Sequence, residues 1–164
     1  MVQNSDKIVL VVGANGLLGN TLSKYFEPYY KVYKSSLTPS INNDFNLDIT
    51  NREEVESVVG ESNPDYIINC SAYTNVDGCE ENKTLAYNVN VDGVKNLTFA
   101  SSLKTKIIHI STDYVFDGSK NIYNELDIPN PINYYGKTKL EAENVLRSSN
   151  RKYIIFRTSV IYNN

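Results

Sequence analysis

A chain of 164 residues with 41% hydrophobic side chains and a net charge of −3 is long enough to bury one substantial core and fits a single domain. Its acidic and basic residues are interspersed, which argues against a nucleic-acid surface and leaves no membrane footprint. The longest apolar run, Ile8 to Val12, is far too short to span a bilayer and the N-terminus has no apolar stretch of signal-peptide length, so a cytoplasmic location is expected; two lone cysteines and one histidine suggest neither a metal site nor a disulfide framework.

Ile8-Val9-Leu10-Val11-Val12 is the pattern of a strand covered on both faces in a parallel sheet. It runs into Gly13-Ala14-Asn15-Gly16-Leu17-Leu18-Gly19, a turn that opens a helix at Leu17. Without Cβ atoms, Gly13, Gly16 and Gly19 let phosphates approach the backbone and let the helix pack on the strand, while the helix N-terminus offers free N–H groups. The spacing is G-x-x-G-x-x-G rather than G-x-G-x-x-G, and its strand–turn–helix setting makes it a dinucleotide-site candidate.

The first helix should stop near Pro28, and Tyr30 to Lys34 reads as a second strand. An acid at the end of that strand would bind the ribose hydroxyls of NAD and repel the extra phosphate of NADP. Here Lys31-Val32-Tyr33-Lys34-Ser35-Ser36 contains no acid. The expectation tilts towards NADP with Lys34 as a contact, against the plainer reading that Lys31 and Lys34 face solvent. Asp48, in Phe45-Asn46-Leu47-Asp48-Ile49-Thr50, is placed either to accept from an adenine amino group or to cap the helix signalled by Thr50-Asn51-Arg52-Glu53. Tyr66 to Cys70 reads as a strand that ends in Ser71-Ala72-Tyr73-Thr74, small and hydroxylated residues suited to passing close to a cofactor. Leu85 to Ala100 reads as one long helix. Strand, loop and helix alternate without hairpin signals, which predicts an α/β fold with a doubly wound parallel sheet of the Rossmann type.

Lys106 to Ser111 is the fifth strand and leads into Thr112-Asp113-Tyr114-Val115-Phe116; His109 inside it reads as a packed or surface-tipped strand residue rather than a catalyst. After a polar loop, Asp117 to Asn133, a helix begins at Tyr134 and a last strand covers Tyr153 to Arg157. Tyr135 and Lys139 lie one helical turn apart, with Thr112 at the carboxyl end of a neighbouring strand, where open α/β sheets place ligands. An ammonium beside a phenol favours the phenolate and brings it into the acid–base range. Thr112 would hold a ketone oxygen, Tyr135 would donate the proton, and Lys139 would also bond the nicotinamide ribose.

With these motifs the sequence resembles the extended short-chain dehydrogenase/reductase superfamily, and within it the dTDP-4-dehydrorhamnose reductase family. The match is carried by the glycine turn, Asp48-Ile49-Thr50, Pro64-Asp65 with Asn69 and Ala72-Tyr73-Thr74, Val76-Asp77 with Cys79-Glu80, Val89-Asn90, Ser111-Thr112-Asp113-Tyr114-Val115-Phe116-Asp117-Gly118, Tyr135-Gly136-Lys137-Thr138-Lys139, and Arg157-Thr158-Ser159. The resemblance implies Thr112, Tyr135 and Lys139 as the catalytic set. It implies cofactor contacts at Gly16, Leu17, Leu18, Asp48, Ile49, Ala72, Tyr73 and Thr74, and sugar contacts at Thr112 and Asp113, with Val115 in the same wall. Val160 stands where the family often carries a substrate-facing tryptophan. The implied activity is reduction of a nucleotide-linked 4-keto-6-deoxy sugar in dTDP-rhamnose synthesis, with homodimer formation left open; NADPH is favoured over NADH from the missing acid on the second strand, where the family often carries one. The alternatives are a non-catalytic NADP-binding regulatory subunit like that of methionine adenosyltransferase, or a nucleotide-sugar epimerase or dehydratase. Family members are roughly twice as long as this chain, so residues 1–164 are expected to be the dinucleotide-binding domain of a longer reductase whose substrate domain is missing here.

Overall fold

β1 (Ile8–Val12) divides its side chains between two cores, which is why its sequence is apolar throughout rather than alternating. Leu10 and Val12 enter a cluster with Val55, Val58, Ile67 and Leu97, whereas Val9 and Val11 pack with Ala14 and Ile68 on the opposite face. Each such buried branched side chain is worth roughly 1.5–3 kcal/mol. The strand thus anchors both helical layers at once. In the computed structural model, which describes residues 6–162, it is followed by α1 (Leu17–Phe26), β2 (Lys31–Ser36), β3 (Phe45–Asn46), α2 (Arg52–Ser62), β4 (Tyr66–Asn69), α3 (Val76–Glu81), α4 (Lys83–Tyr87), α5 (Gly93–Ala100), β5 (Lys106–Thr112), α6 (Tyr134–Ser148) and β6 (Lys152–Thr158).

The strands form one parallel sheet in the order β3-β2-β1-β4-β5-β6. This is the doubly wound Rossmann order, and its chain reversal falls between β1 and β4, where a crevice opens at the carboxyl ends of the strands. The glycine turn, the end of β4 and the end of β5 all reach that crevice. The predicted fold class therefore holds.

The structure adds to or changes the local expectations at three places. The helix expected over residues 85–100 is broken into α4 and α5 by a π turn, Asn88–Asp92, inside a longer helical stretch. The wider turn is what lets Asn90, 1% exposed, reach sideways. A short helix, α3, occupies residues 76–81, between the expected strand and helix; Asn75 caps it by accepting from the Gly78 N–H at 2.9 Å. The cap of α2 is Asn51, whose Oδ1 accepts from the N–H groups of Glu53 and Glu54. Asp48 instead closes a turn by accepting from the Thr50 N–H and hydroxyl, at 2.8 and 2.7 Å. Among the described residues, no helix is long and apolar enough to cross a membrane.

Candidate active site

The glycine turn is built by close approach. Gly13 adopts φ +82°, and a Cβ there would lie 2.8 Å from the Ser71 nitrogen; a Cβ on Gly19 would collide with the Gly13 carbonyl. Gly16 differs, since a Cβ there would meet only the Gly13 oxygen, at 3.3 Å. Gly13 and Gly19 thus shape the turn, while Gly16 keeps its outer side clear. A dinucleotide's phosphates fit that cradle, next to the first N–H groups of α1.

Two adjoining clefts share Gly16, Cys70 and Ala72. One, of about 250 Å³, is bordered by Gly13, Ser36, Leu37, Asp48, Ile49 and Val89. The other, of about 550 Å³, is bordered on the turn side by Leu17, Leu18, Gly19 and Thr74, and on the far side by Thr112, Asp113, Tyr135, Lys139 and Val160. Residues expected on different elements are thereby brought to one continuous crevice.

Tyr135 is held in place by its neighbour in sequence. A Cβ on Gly136 would strike the Tyr114 carbonyl, so only glycine lets α6 press against the 3-10 turn Asp113–Val115 that follows Thr112. Asn133 caps the helix through the Gly136 N–H at 2.7 Å. Burial raises the pKa of the Tyr135 phenol; the neighbouring Thr112 hydroxyl pulls it down, and Cys79, Asp113 and Tyr114 add to the rise, while Thr112 Oγ1 itself accepts from the Tyr114 N–H at 3.2 Å and donates to Asp113 at 3.3 Å. The expected lowering of the phenol by Lys139 is not found. Lys139, 2% exposed, directs Nζ instead to the Ile110 carbonyl at 2.7 Å and to His109 Nε2 at 3.3 Å. Burial pushes its ammonium down to about 8, against the opposing pull of Glu143 and Cys70.

Other expected residues are engaged differently from the sequence reading. Lys34 Nζ pairs with Glu27 at 2.9 Å and borders neither cleft; Lys31 lies over the Tyr33 ring, 4.6 Å from its centroid. Ser36 and Leu37 are the residues of that region that reach the crevice. Val115 is fully buried, because the turn after Thr112 folds it inward. Tyr73 packs its ring in a cluster with Cys79 and Tyr135, while Asn90 clasps its backbone, accepting from the N–H at 2.8 Å and donating to the carbonyl at 3.1 Å. Asn90 also donates to the Thr138 hydroxyl at 3.0 Å. Asn90, Gly136 and Cys70 had no assigned role in the sequence reading, and His109 was expected only as a packed or surface-tipped strand residue. Only the glycine after the tyrosine carried a usable signal.

Fold and site define a protein of the Rossmann-type dinucleotide-binding class that presents a threonine–tyrosine–lysine set beside its glycine turn. Residues 7–164 match the model of the RmlD substrate binding domain family, and the chain belongs to that family. It is 43% identical over 154 residues to dTDP-4-dehydrorhamnose reductase of Aggregatibacter actinomycetemcomitans, covering 92% of this chain and 50% of that one. It is also 34% identical over 159 residues to methionine adenosyltransferase 2 subunit beta of Bos taurus, covering 96% and 48%. A crystal structure of dTDP-4-dehydrorhamnose reductase from Bacillus anthracis str. Ames in complex with NADP superposes with a TM-score of 0.87 at 40% identity, covering 98% of this chain and 56% of that one. The chain spans about half the length of the curated relatives it matches.

Proposed function

We propose that the protein is an NADPH-binding reductase of a nucleotide-linked 4-keto-6-deoxy sugar, of the dTDP-4-dehydrorhamnose type, and that residues 1–164 are its dinucleotide-binding domain. The observation that carries this reading is the placement of Thr112, Tyr135 and Lys139 in the same cleft as Gly16, Leu17 and Leu18. When bound, the nicotinamide supplies hydride to the carbonyl carbon. The chain's own residues do the rest. Thr112 holds the carbonyl oxygen next to the phenol, and Tyr135, kept protonated by burial, donates its proton to that oxygen as negative charge develops. Lys139 as an ammonium would stabilise the phenolate left behind and reach the cofactor ribose. Gly16 gives the pyrophosphate room within the turn that Gly13 and Gly19 shape, Ala72 and Thr74 border its path, and Asp48 and Ile49 border the adenine end. On the sugar side Asp113 and Val160 line the cleft. Ser36 and Leu37 replace Lys34 as the residues best placed to choose between NADPH and NADH.

Titration with NADPH and NADH, followed by turnover of dTDP-4-dehydrorhamnose in a protein that includes both halves of the family's length, tests the proposal. Tight NADPH binding together with turnover that collapses in Tyr135→Phe is expected. Binding without any turnover in that longer protein would favour a regulatory role like that of the methionine adenosyltransferase relative. A cytoplasmic place of action fits a soluble nucleotide-sugar substrate and belongs to the same proposal.

A further inference from the structure

Behind Lys139 runs a buried polar chain that the reductase reading leaves unused. His109 is 1% exposed. Its Nδ1 stands 3.3 Å from the Asn69 side-chain nitrogen, and its Nε2 stands 3.3 Å from Lys139 Nζ. The Asn69 amide is fixed in orientation, because its Oδ1 accepts from both the backbone N–H and the hydroxyl of Ser71, at 3.1 and 2.6 Å. Its NH2 group therefore faces the imidazole.

The hydrogens along this chain can be counted. A neutral imidazole has one N–H and one lone pair. Asn69 offers only a donor, so Nδ1 supplies the lone pair and Nε2 carries the hydrogen, which points at Nζ. An ammonium has three donors and no acceptor, so it would meet Nε2–H hydrogen against hydrogen. A neutral amine accepts that hydrogen and still donates to the Ile110 carbonyl. An imidazolium is worse, since it also sets Nδ1–H against the Asn69 donor and adds a second cation. All contacts are satisfied only when the lysine carries one proton fewer than usual.

We propose that His109 is a positioning residue for Lys139: its ring, pinned by Asn69, holds the lysine as an amine and lets it become an ammonium only when the ring moves its hydrogen from Nε2 to Nδ1. In that change one proton is taken up from solvent, the ring stays neutral, and the Asn69 contact is lost. The proposal rests on reading Tyr135 and Lys139 as the acid–base pair, and it makes the charge of that pair conditional on a residue that touches no ligand. The surroundings agree. Burial, and secondarily Lys139, hold the imidazole well below its ordinary range. Of the titratable groups facing the pair, Cys70 beyond β4 is kept a neutral thiol by burial, which pushes it up to about 12. From α6, Glu143 is held by Arg157 of β6, Ser111 and Arg147, and Tyr135 is a raised phenol. From β6 the register partner of His109 is Ile155.

The chain has one histidine, so its ring 15N signals can be read without assignment. Above about pH 9, beyond the Lys139 midpoint, the Nε2–H tautomer is expected; it should give way to Nδ1–H as the lysine charges, with no imidazolium at about pH 6. In His109→Gln, the side-chain oxygen accepts from an ammonium, so the Lys139 midpoint, followed by 13Cε NMR with Lys139→Met identifying the signal, should rise by at least about one pH unit, roughly tenfold in proton affinity. Asn69→Leu frees Nδ1 to keep its hydrogen and should raise the same midpoint. An Nδ1–H ring in the wild-type protein at high pH, an imidazolium at about pH 6, or a lysine midpoint unmoved by His109→Gln would overturn the proposal. NADPH titration of the same samples reads the reductase assignment separately: failure to bind would remove that assignment while leaving the lysine midpoint to decide this one.

Discussion

Gly16 and Gly19 sit three residues apart in one motif, yet a side chain would cost different things at each. At Gly16 an added Cβ meets only one carbonyl oxygen at 3.3 Å, and φ −72° with ψ 163° is extended backbone that valine adopts readily. Gly16→Val is therefore expected to fold normally and to lose at least about tenfold in NADPH affinity, about 1.4 kcal/mol, because the branch fills the pyrophosphate's space. Thermal unfolding and a binding titration on the same preparation check both halves. Gly19→Ala pushes against backbone and should destabilise the fold by about 1–3 kcal/mol. Lys139 poses the opposite case, a residue whose function costs stability. Its folded pKa of about 8 lies below the ordinary 10.5, so the unfolded chain binds more protons between those values and stability attributable to this group rises with pH through that window. Below it the cost of the buried ammonium is fully present. Lys139→Met should accordingly be more stable at neutral pH by about 1–3 kcal/mol, and urea titrations across pH 8 to 10.5 should show the advantage shrinking.

At the level of elements, the π turn and α6 hold the site together through two buried side chains. Asn90 ties the loop after β4 to α6 by its bonds to Tyr73 and Thr138. Asn90→Leu leaves the Tyr73 N–H without its partner and the Tyr73 carbonyl with only the Cys79 thiol, at a cost of about 1–3 kcal/mol, and should speed amide exchange at Tyr73 while weakening NADPH binding. Glu143, 0% exposed, joins α6 to both of its neighbouring strands: it accepts from Ser111 of β5 at 2.6 Å, from Arg157 of β6 at 3.0 and 2.7 Å, and from Arg147 at 2.6 Å. Burial raises this carboxyl, but Arg157, Ser111 and Arg147 together hold it below its ordinary value. Its contribution is thus complete above the ordinary carboxylate range and is lost as pH falls through the depressed folded value. Removing the carboxylate in Glu143→Leu strands Arg157 and should cost about 3–5 kcal/mol, and the variant's acid-unfolding curve should lose the corresponding step.

For the whole molecule, the two sides of the crevice are unequally finished. The side proposed for the cofactor is walled by the glycine turn, Ala72 and Ile49, whereas the side proposed for the sugar ends in Val160 and Ile161, 63% and 41% exposed. Hydride transfer needs the ketone held against the nicotinamide with water excluded, and such positioning is worth about 7–11 kcal/mol of barrier. The 164-residue chain by itself is expected to bind NADPH but to reduce dTDP-4-dehydrorhamnose below measurable rates in a steady-state assay. Turnover of about one per second or faster, within the ordinary enzyme range, would show that one wall suffices. Tyr153, Ile154 and Phe156 of β6 are also partly exposed.

What could be read from the residues alone was local chemistry and periodicity. The apolar run of β1, the glycine turn and the alternation of strand and helix were sufficient for a doubly wound parallel sheet, because a strand buried on both faces and a helix with one apolar stripe leave that architecture as the means of covering both. The spacing of Tyr135 and Lys139 placed them on one helical face for the same reason. Charge was less legible, since proximity in sequence does not reveal who pairs with whom: Lys34 looked like a phosphate ligand until the fold brought Glu27 to it, and Val115 looked like a wall of the site until the turn after Thr112 buried it. The protonation state of Lys139 lay furthest from view. It depends on the Ile110 carbonyl, His109 and Asn69, which come from two other strands of the sheet, and on exclusion of water, so only tertiary structure decides it.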